Sequence, residues 1–212
     1  NMLSHALHNE HDNREPREAL KLCIQENSAT AHTKTPADKK SYANTNNVQS
    51  AWLATAWSLD WPKTKNNPTA QKNELIKILD TLKDTGINTV MFQVRPYGDA
   101  MYKSSINPWS KELTGTQGKD PGYDPLAFII QEAHTRGMKV HAWLNPYRVV
   151  SSGTDVNVLS SNHLARQNPS LLIENRGGLY YNPDLQEVKD HISNTVGEIV
   201  SNYDIDGITF DD

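Results

Sequence analysis

The sequence has a single cysteine, Cys23, no long apolar run and no excess of positive charge. One cysteine forms no internal disulfide, and structural zinc sites usually recruit several, so we expect neither a disulfide scaffold nor a zinc module. No apolar run approaches the roughly 18 residues that a transmembrane segment requires, and the mean hydropathy is −0.68. The 25 aspartates and glutamates outnumber 21 lysines and arginines, and the net charge of −4 argues against nucleic-acid binding.

The beginning of the chain is poor in large apolar side chains. Residues 24–48 are almost devoid of them and consist mainly of Asn, Thr, Lys, Ser and Ala. Such a stretch buries too little surface to offset the entropy of ordering it, so residues 1–49 are predicted to form a polar, disordered tail or linker. His5, His8 and His11 could seat a metal on one helical face, but no carboxylate or cysteine is fixed beside them, and a solvated tail is favoured.

From residue 50 the pattern alternates between strand-like and helix-like segments. Apolar and β-branched runs predict strands at residues 51–57, 87–94, 139–145 and 207–211. Helical spacing predicts helices over residues 69–85, from Asp124-Pro125 to Gly137, and from Asn182-Pro183 to about residue 199. This order implies right-handed crossovers and a parallel sheet.

The connections between these elements differ in length. Links from helix to strand are brief, whereas the links from strand to helix cover residues 95–123 and 146–181. In a parallel sheet those long links lie at the carboxyl ends of the strands, where α/β barrels and open α/β sheets place their sites. No G-x-G-x-x-G motif or P-loop follows any strand, which disfavours nucleotide binding. Element order alone leaves both a barrel and a doubly wound sheet open.

Half a barrel accounts for the number of elements. A complete (β/α)8 barrel takes about 250 residues, and residues 50–212 supply four strands and three helices. Four strands alone would leave both sheet edges unpaired. We therefore predict an α/β fold, the N-terminal half of a (β/α)8 TIM barrel, that follows the tail of residues 1–49 and continues beyond residue 212. Such a piece alone is expected to be inactive.

Strand alternation decides which side chains face the site. On the second strand, Gln93 and Arg95 share the face opposite the apolar one, and on the third strand Trp143 and Asn145 do so. Asp211 has the same parity on the fourth strand. We predict that these side chains converge on one opening at the carboxyl ends of the strands.

The residue types near this opening suit a carbohydrate site. Aromatic rings stack on the apolar faces of sugars, and amides and carboxylates bond to the hydroxyl groups. Glycoside hydrolysis needs two carboxyl groups across the scissile bond, one donating a proton and one acting as base or nucleophile. The carboxylates are Asp60, Asp99, Asp211 and Asp212, and the loop aromatics are Trp57, Trp61, Tyr97, Trp109 and Tyr147.

Six segments in order along the chain carry a family resemblance. They read WSLDWP (57–62), FQVRPYGD (92–99), PWS (108–110), LTGTQGKDPGYDP (113–125), HAWLNPYR (141–148) and DGITFDD (206–212). Over residues 50–212 the chain resembles the glycosyl-hydrolase-like family of bacterial envelope proteins. The resemblance implies a clan-A (β/α)8 barrel with catalytic carboxylates at strand ends. It also implies activity on peptidoglycan glycan strands stripped of their peptides, in a protein exported to, or lipid-anchored in, the cell envelope.

The last of these segments contains the predicted catalytic carboxylate. Chitinase-like (D-G-x-D-x-D-x-E) and amylase-like (G-F-R-x-D) barrel motifs place an aspartate where Asp211 stands, although Thr209 replaces their preceding aspartate or arginine. We predict Asp211 as catalytic, with Asp212 as its rival. Whether it acts as acid or nucleophile, and whether the reaction retains or inverts configuration, stays open.

Substrate contact is predicted for a further set of polar and aromatic residues. They are Asp60, Gln93, Arg95, Tyr97, Asp99, Trp143, Asn145, Tyr147 and Arg148. Arg95 has an alternative role as a structural ion-pair partner, and Trp143 one as barrel filling, whereas Trp52 and Trp57 are predicted to belong to the core. No metal or cofactor is expected, because the carboxylates lie on separate strands and no calcium-loop motif is present.

The leading function is a glycosidase acting on a bacterial cell-envelope polysaccharide, with peptidoglycan glycan strands as the implied substrate. The competing hypothesis is a non-catalytic glycan-binding barrel, and a sugar lyase or transferase on the same scaffold is a third. An Asp or Glu at the end of a later strand would favour the hydrolase. The oligomeric state stays open.

Overall fold

The structure is a computed structural model that describes residues 47–211. The predictions for the tail up to residue 46, including the histidine triplet, and the prediction for Asp212 lie outside the described residues. None of the helices in the described part is long and apolar enough to cross a membrane.

Two sheets and five α-helices make up the described part. The strands are β1 (Ser50–Leu53), β2 (Thr89–Arg95), β3 (Lys139–Leu144), β4 (Arg148–Val150), β5 (Leu172–Asn175), β6 (Gly178–Tyr181) and β7 (Gly207–Phe210). The helices are α1 (Pro68–Asp84), α2 (Lys111–Thr114), α3 (Pro125–Thr135), α4 (Leu164–Gln167) and α5 (Gln186–Asn202). Short 3-10 turns span Ala56–Ser58, Val156–Val158 and Pro169–Leu171.

Strands β1, β2, β3 and β7 form one parallel sheet, and their order across the sheet follows their order along the chain. A doubly wound sheet reverses its direction of growth at a switch point. Successive addition on one side, with a helix in each crossover, is the way a (β/α)8 barrel is built. Helices α1, α3 and α5 occupy the three crossovers. The predicted α/β fold with four parallel strands and half-barrel topology is therefore confirmed.

Helix α1 begins where the sequence provides a cap and a proline. Oδ1 of Asn67 accepts a hydrogen bond from the Ala70 amide at 3.0 Å. Pro68 occupies a position whose amide would have no partner inside the helix. Leu75 and Leu79 are fully buried by the packing of this helix on the sheet.

Helices α3 and α5 begin differently. Oδ1 of Asp124 caps α3 by accepting from the Ala127 amide at 3.0 Å, as the Asp-Pro pair predicts. Helix α5 begins at Gln186, four residues later than predicted. The reason is that Oδ1 of Asn182 accepts from the Asp184 amide at 3.0 Å, so the asparagine closes a turn rather than capping a helix.

The apolar face of β2 forms the centre of the main core. Val90, Phe92 and Val94 have no exposure to solvent and belong to the same apolar cluster as Leu79 and Ile129. Burying one such side chain contributes about 1.5–3 kcal/mol relative to leaving it exposed. The predicted division of β2 into an apolar face and a polar face holds as far as Val94.

A second sheet lies in the segment that sequence patterns predict as one long connection, residues 146–181. It is antiparallel, with β6 between β4 and β5. A separate apolar cluster includes Val149, Leu171, Tyr181 and Val188. The strands have only three or four residues, which is too few for alternation to stand out in the sequence.

Strand β1 is shorter than predicted. It ends at Leu53 instead of residue 57, and the chain turns into a 3-10 segment in which Trp57 has φ 54°. Trp52 is 51% exposed and Trp57 is 61% exposed, so the prediction that both belong to the core is wrong. The apolar run predicts the strand but not its end, because the backbone bends before the residue type changes.

Two glycines are expected to respond in opposite ways to the same substitution. A Cβ on Gly178 would lie 2.5 Å from the Val150 carbonyl oxygen, so Gly178→Ala is expected to lower the free energy of unfolding by about 1–3 kcal/mol. A Cβ on Gly197 in α5 would meet nothing within 4 Å, so Gly197→Ala is expected to raise it by about 0.5–1 kcal/mol. Urea unfolding measures both, and equal effects would contradict the packing of β6 on β4.

Candidate active site

The side chain of Gln93 joins the carboxyl ends of three strands. Its Oε1 accepts hydrogen bonds from the Thr55 and Ala56 amides, both at 2.8 Å, shortly after β1. Its Nε2 donates to Oδ1 of Asn145, immediately after β3, at 2.5 Å. Gln93 and Asn145 are each 1% exposed, so water does not compete for these bonds. The structure brings the two amides together as predicted, and their contact with a substrate stays a prediction.

Asp211 lies directly after β7 and is exposed. Its backbone amide donates to the Leu144 carbonyl at 3.1 Å, which places it beside the end of β3 and therefore beside Asn145. Parallel pairing thus brings an exposed carboxylate and a fixed amide to neighbouring strand ends. The catalytic role of Asp211 stays a prediction.

Arg95 departs from the predicted geometry because β2 is irregular at its end. The register with β3 shifts between Gln93 and Arg95, so two residues of β2 span one of β3 and the alternation of side chains is broken. Arg95 is 1% exposed, and burial lowers its pKa. Its Nη1 donates to the carbonyl oxygens of Asn145 and Pro146, at 2.9 and 3.0 Å.

These contacts give Arg95 a structural role, because its guanidinium holds the chain that leaves β3. Its contact with substrate stays a prediction. The alternative role as an ion-pair partner is not observed, since no carboxylate within residues 47–211 forms an ion pair with Arg95.

Two of the predicted carboxylates order loops. Asp99 is fully buried, and its carboxylate accepts from the Tyr97 amide at 3.3 Å and from Nε2 of Gln117 at 3.1 Å. Burial raises the pKa of Asp99, although these hydrogen bonds oppose the shift. Asp99 thus orders its loop, and its contact with substrate stays a prediction. Asp60 is exposed, and its Oδ2 accepts from the Ala54 amide at 2.8 Å, which closes the turn after β1. Its contact with substrate stays a prediction.

Trp143 and Tyr147 lie on and after β3. Trp143 is 8% exposed and meets the Trp52 ring edge-on, with centroids 4.8 Å apart. This burial favours barrel filling over a sugar platform. Tyr147 is half-buried, and burial raises its pKa. Its contact with substrate stays a prediction.

Tyr97 and Arg148 surround Trp57, a residue that sequence patterns assign to the core. The Tyr97 hydroxyl accepts from the Trp57 amide at 3.2 Å, and the two rings meet edge-on with centroids 5.8 Å apart. The Arg148 guanidinium carbon lies 5.3 Å from the Trp57 ring centroid. Two residues that were each predicted to contact substrate thus lie around an exposed indole. The sequence offered two roles for Trp57, a loop aromatic near the opening and a core residue, and its exposure after the early bend that follows β1 agrees with the first.

His163 is a buried residue that sequence patterns do not single out. It is fully buried, its Nδ1 accepts from the Ala165 amide at 3.1 Å, and its Nε2 donates to the Tyr97 carbonyl at 3.2 Å. These two bonds require the neutral ring with its proton on Nε2. Burial, aided by the charge of Arg95, lowers the pKa of His163 to about 4.

The stability of the fold is expected to fall as the pH drops below 6.5. The unfolded chain protonates His163 near pH 6.5, whereas the folded chain does so near its pKa of about 4. The unfolded state therefore binds more protons between these values, and the free energy of unfolding falls by about 2 kcal/mol from pH 7 to pH 5. Burial lowers the pKa of His191 to about 3, which acts in the same direction.

Urea unfolding at pH 7 and pH 5 measures this loss. His163→Asn keeps an acceptor for the Ala165 amide but does not titrate. The variant is expected to show a clearly smaller loss of stability between the two pH values. A loss equal to that of the parent protein would contradict the buried, neutral state of His163.

The carboxyl edge of the sheet combines a few chemical groups. The described residues contain no cluster of three or more His, Cys, Asp or Glu side chains that could hold a metal ion. The edge offers an exposed carboxylate on Asp211, a fixed amide on Asn145 and an exposed indole on Trp57. Such a set can bind hydroxyl groups and exchange a proton with a bound molecule.

Comparisons with known proteins agree with this arrangement. Residues 47–212 match the profile of the family described as Glycosyl hydrolase-like 10. The chain is 45% identical over 166 residues to Glycosyl hydrolase YngK of Bacillus subtilis (strain 168), covering 78% of this chain and 32% of that protein. It is 41% identical over 215 residues to Glycosyl hydrolase DigH of Escherichia coli (strain K12), covering 92% of this chain and 49% of that protein. The chain thus spans about half or less of the length of these relatives.

Solved structures show the same fold at low identity. The α-L-fucosidase isoenzyme 2 from Paenibacillus thiaminolyticus matches with a TM-score of 0.55 and 18% identity, covering 78% of this chain and 23% of that chain. A hypothetical protein from Ruminiclostridium thermocellum ATCC 27405 matches with a TM-score of 0.50 and 14% identity, covering 77% of this chain and 75% of that chain. At these identities the likeness concerns the fold alone.

Proposed function

This chain belongs to the glycosyl hydrolase-like 10 family, and from that premise we propose that the whole protein hydrolyses glycosidic bonds in a bacterial cell-envelope polysaccharide. The proposed substrate is the glycan strand of peptidoglycan after its peptides have been removed. The observation that carries the proposal is the placement of the exposed Asp211 beside Asn145, at the carboxyl edge of a half-barrel. This is the edge at which barrel enzymes carry out their chemistry.

The proposed mechanism uses Asp211 as one of two carboxyl groups. Hydrolysis requires one group to protonate the departing glycosidic oxygen. The other either attacks the anomeric carbon as a nucleophile, and water later releases the sugar, or takes a proton from the water that attacks this carbon. The bonds from Gln93 hold the strand ends in place before a substrate arrives, so little ordering remains to be done at the moment of reaction. A separation between the two carboxyl groups of about 5 Å gives retention, and about 6.5–9.5 Å gives inversion.

The proposed substrate also sets the proposed location. Peptidoglycan lies outside the cytoplasmic membrane, so an enzyme that acts on it works in the cell envelope, either exported or lipid-anchored. Fractionation of cells that express the full-length protein tests the location. Recovery of the protein in the envelope fraction is expected, and recovery in the cytoplasm alone would contradict it.

The experiment for the reaction uses the full-length protein and glycan strands freed of peptide by an amidase. New reducing ends and soluble oligosaccharides, identified by mass spectrometry, are expected to appear with time. Products that carry an unsaturated or anhydro end would assign the protein to a lyase or transferase type instead. Strands that bind but stay intact would support the competing function, a non-catalytic glycan-binding barrel. Two observations favour this competing function: the carboxylate of Asp99 is buried, and that of Asp60 is bonded to an amide of its own turn.

A further inference from the structure

His163 links two connections that meet at the carboxyl edge of the main sheet. It lies just before α4, in the long connection after β3, and has no exposure to solvent. Its Nε2 donates to the carbonyl oxygen of Tyr97 at 3.2 Å, in the connection after β2. Its Nδ1 accepts from the Ala165 amide at 3.1 Å. One ring therefore joins two segments that lie 66 residues apart in the chain.

The ring of His163 has little freedom to move. It stacks on the Tyr181 ring of β6, with centroids 6.5 Å apart and an interplanar angle of 16°. It also lies against the backbone of Gly98, where an added Cβ would be 3.1 Å from its Cε1 and Nε2. A ring that is bonded at both nitrogens and closely packed fixes the distance between the two segments.

Tyr97 connects His163 to Trp57. The backbone of Tyr97 is bonded at two points, because its amide donates to Oδ1 of Asp99 at 3.3 Å and its carbonyl accepts from His163. Its hydroxyl accepts from the Trp57 amide at 3.2 Å. Trp57 lies in a turn with φ 54° and is 61% exposed. The position of this exposed indole after β1 thus depends on a histidine in the connection after β3.

Gln117 forms a second bridge between the same two connections. Its Nε2 donates to Oδ2 of Asp99 at 3.1 Å, and its Oε1 accepts from the Ser160 amide at 2.9 Å. The connection after β3 is therefore docked onto the connection after β2 at two points. The bridge from Gln117 ends on the carboxylate of Asp99, whereas the bridge from His163 ends on Tyr97 itself.

We propose that His163 is a positioning residue of the candidate site, which sets Tyr97 and Trp57 through its Nε2 proton before any ligand binds. The donor at Nε2 carries this role, while the acceptor at Nδ1 serves the start of α4. Positioning in advance lowers the entropy that is lost on binding. The inference rests on the proposed function for what is bound, and on the geometry alone for how Trp57 is held.

The effect is expected in binding rather than in the chemical step. Trp57 follows β1 and Asp211 follows β7, and these strands form opposite edges of the main sheet. A displaced indole would therefore weaken the hold on a glycan without moving the proposed catalytic carboxylate. Loss of the bond from His163 should raise KM and leave kcat close to that of the parent protein.

Two substitutions separate the roles of the two ring nitrogens. His163→Gln can bring an amide N–H to the place of Nε2 but leaves the Ala165 amide without its acceptor. His163→Asn does the reverse, since its short side chain can replace Nδ1 but does not reach Tyr97. Both variants are expected to melt at a lower temperature than the parent protein, so a loss of stability does not distinguish them.

Hydrogen–deuterium exchange of the full-length protein tests the positioning without any ligand. The Trp57 amide, read by mass spectrometry in a peptide that contains it, is expected to exchange about tenfold faster in His163→Asn and at nearly the parental rate in His163→Gln. His191→Asn makes the same change at another buried histidine, on α5, and should leave this peptide unaffected.

Unchanged exchange at Trp57 in His163→Asn would overturn the proposal. An acceleration in His163→Gln as large as in His163→Asn would also overturn it, because the donor at Nε2 would then not matter. His163→Ser caps α4 in the same way without donating to Tyr97. It serves as a second test with the same expected result should the asparagine variant fail to fold.

Turnover of peptide-free glycan strands supplies the functional measurement. His163→Asn is expected to raise KM about tenfold and to change kcat by less than about twofold, while His163→Gln stays close to the parent protein. A fall in kcat with an unchanged KM would contradict the positioning role. Absence of hydrolysis by the parent protein would refute the proposed function, and the exchange experiment would still decide whether His163 positions Trp57. The two proposals therefore fail on different observations.

Discussion

Replacing Asp211 with asparagine is expected to reduce the turnover of peptide-free glycan strands by about 10²–10⁴-fold in the full-length protein. Asparagine has nearly the shape of aspartate, so the strand end and its bond to Leu144 should remain. The amide can neither donate nor take the proton and cannot attack the anomeric carbon. The loss should therefore appear in kcat, with binding of intact strands largely preserved.

A matched control lies at the opposite end of strand β7. Asp204 precedes β7, and its side chain is 95% exposed. Asp204→Asn removes the same charge at the amino ends of the strands, away from the proposed site, and is expected to leave turnover unchanged. Equal turnover in Asp211→Asn and in the parent protein would exclude Asp211 from the mechanism. Equal losses in both variants would indicate an effect of net charge rather than of position.

The regular part of the fold could be predicted from the sequence because it depends on local rules. Apolar and β-branched runs identified the four parallel strands, helical spacing identified α1, and an aspartate followed by proline marked the start of α3. The polar face of β2 was predicted as far as Gln93, which does meet Asn145. Each of these inferences needs only the order of residues along one element.

The geometry of Arg95 could not be predicted in the same way. Counting alternate residues assumes an unbroken ladder of hydrogen bonds, and the register shift after Gln93 adds a residue to one side of it. Nothing in the type of residue at this point signals the irregularity. Asp99 was placed near the opening by its residue type and its position after β2, whereas tertiary packing of its loop buries it completely.

Trp57 illustrates the opposite error. Its position in an apolar run indicated a buried strand residue, but the strand ends four residues earlier, at Leu53, and the indole is exposed. The bend depends on Gln93, a residue far along the chain, which accepts hydrogen bonds from the amides that follow β1. A contact between distant segments therefore decides a local conformation, and no window of neighbouring residues contains that information.

These observations assign Gln93 a central structural role, and its replacement by leucine is expected to have a large effect. Gln93→Leu removes the acceptor of the Thr55 and Ala56 amides and the donor to Asn145, all in a region closed to water. Each buried polar group that loses its partner costs about 1–3 kcal/mol. The free energy of unfolding is therefore expected to fall by about 3–5 kcal/mol in urea titrations.

Two comparisons separate this loss from the effect of the leucine itself. Gln131→Leu makes the same change at an exposed position of α3 and is expected to alter stability by less than about 0.5 kcal/mol. Gln93→Glu keeps an acceptor for both amides, which favour a carboxylate, so its loss should be smaller than that of Gln93→Leu. In Gln93→Leu, turnover should also fall, because the strand ends beside Asn145 and Trp57 would no longer be held together. A stability equal to that of Gln131→Leu would mean that the three strand ends are positioned by packing alone.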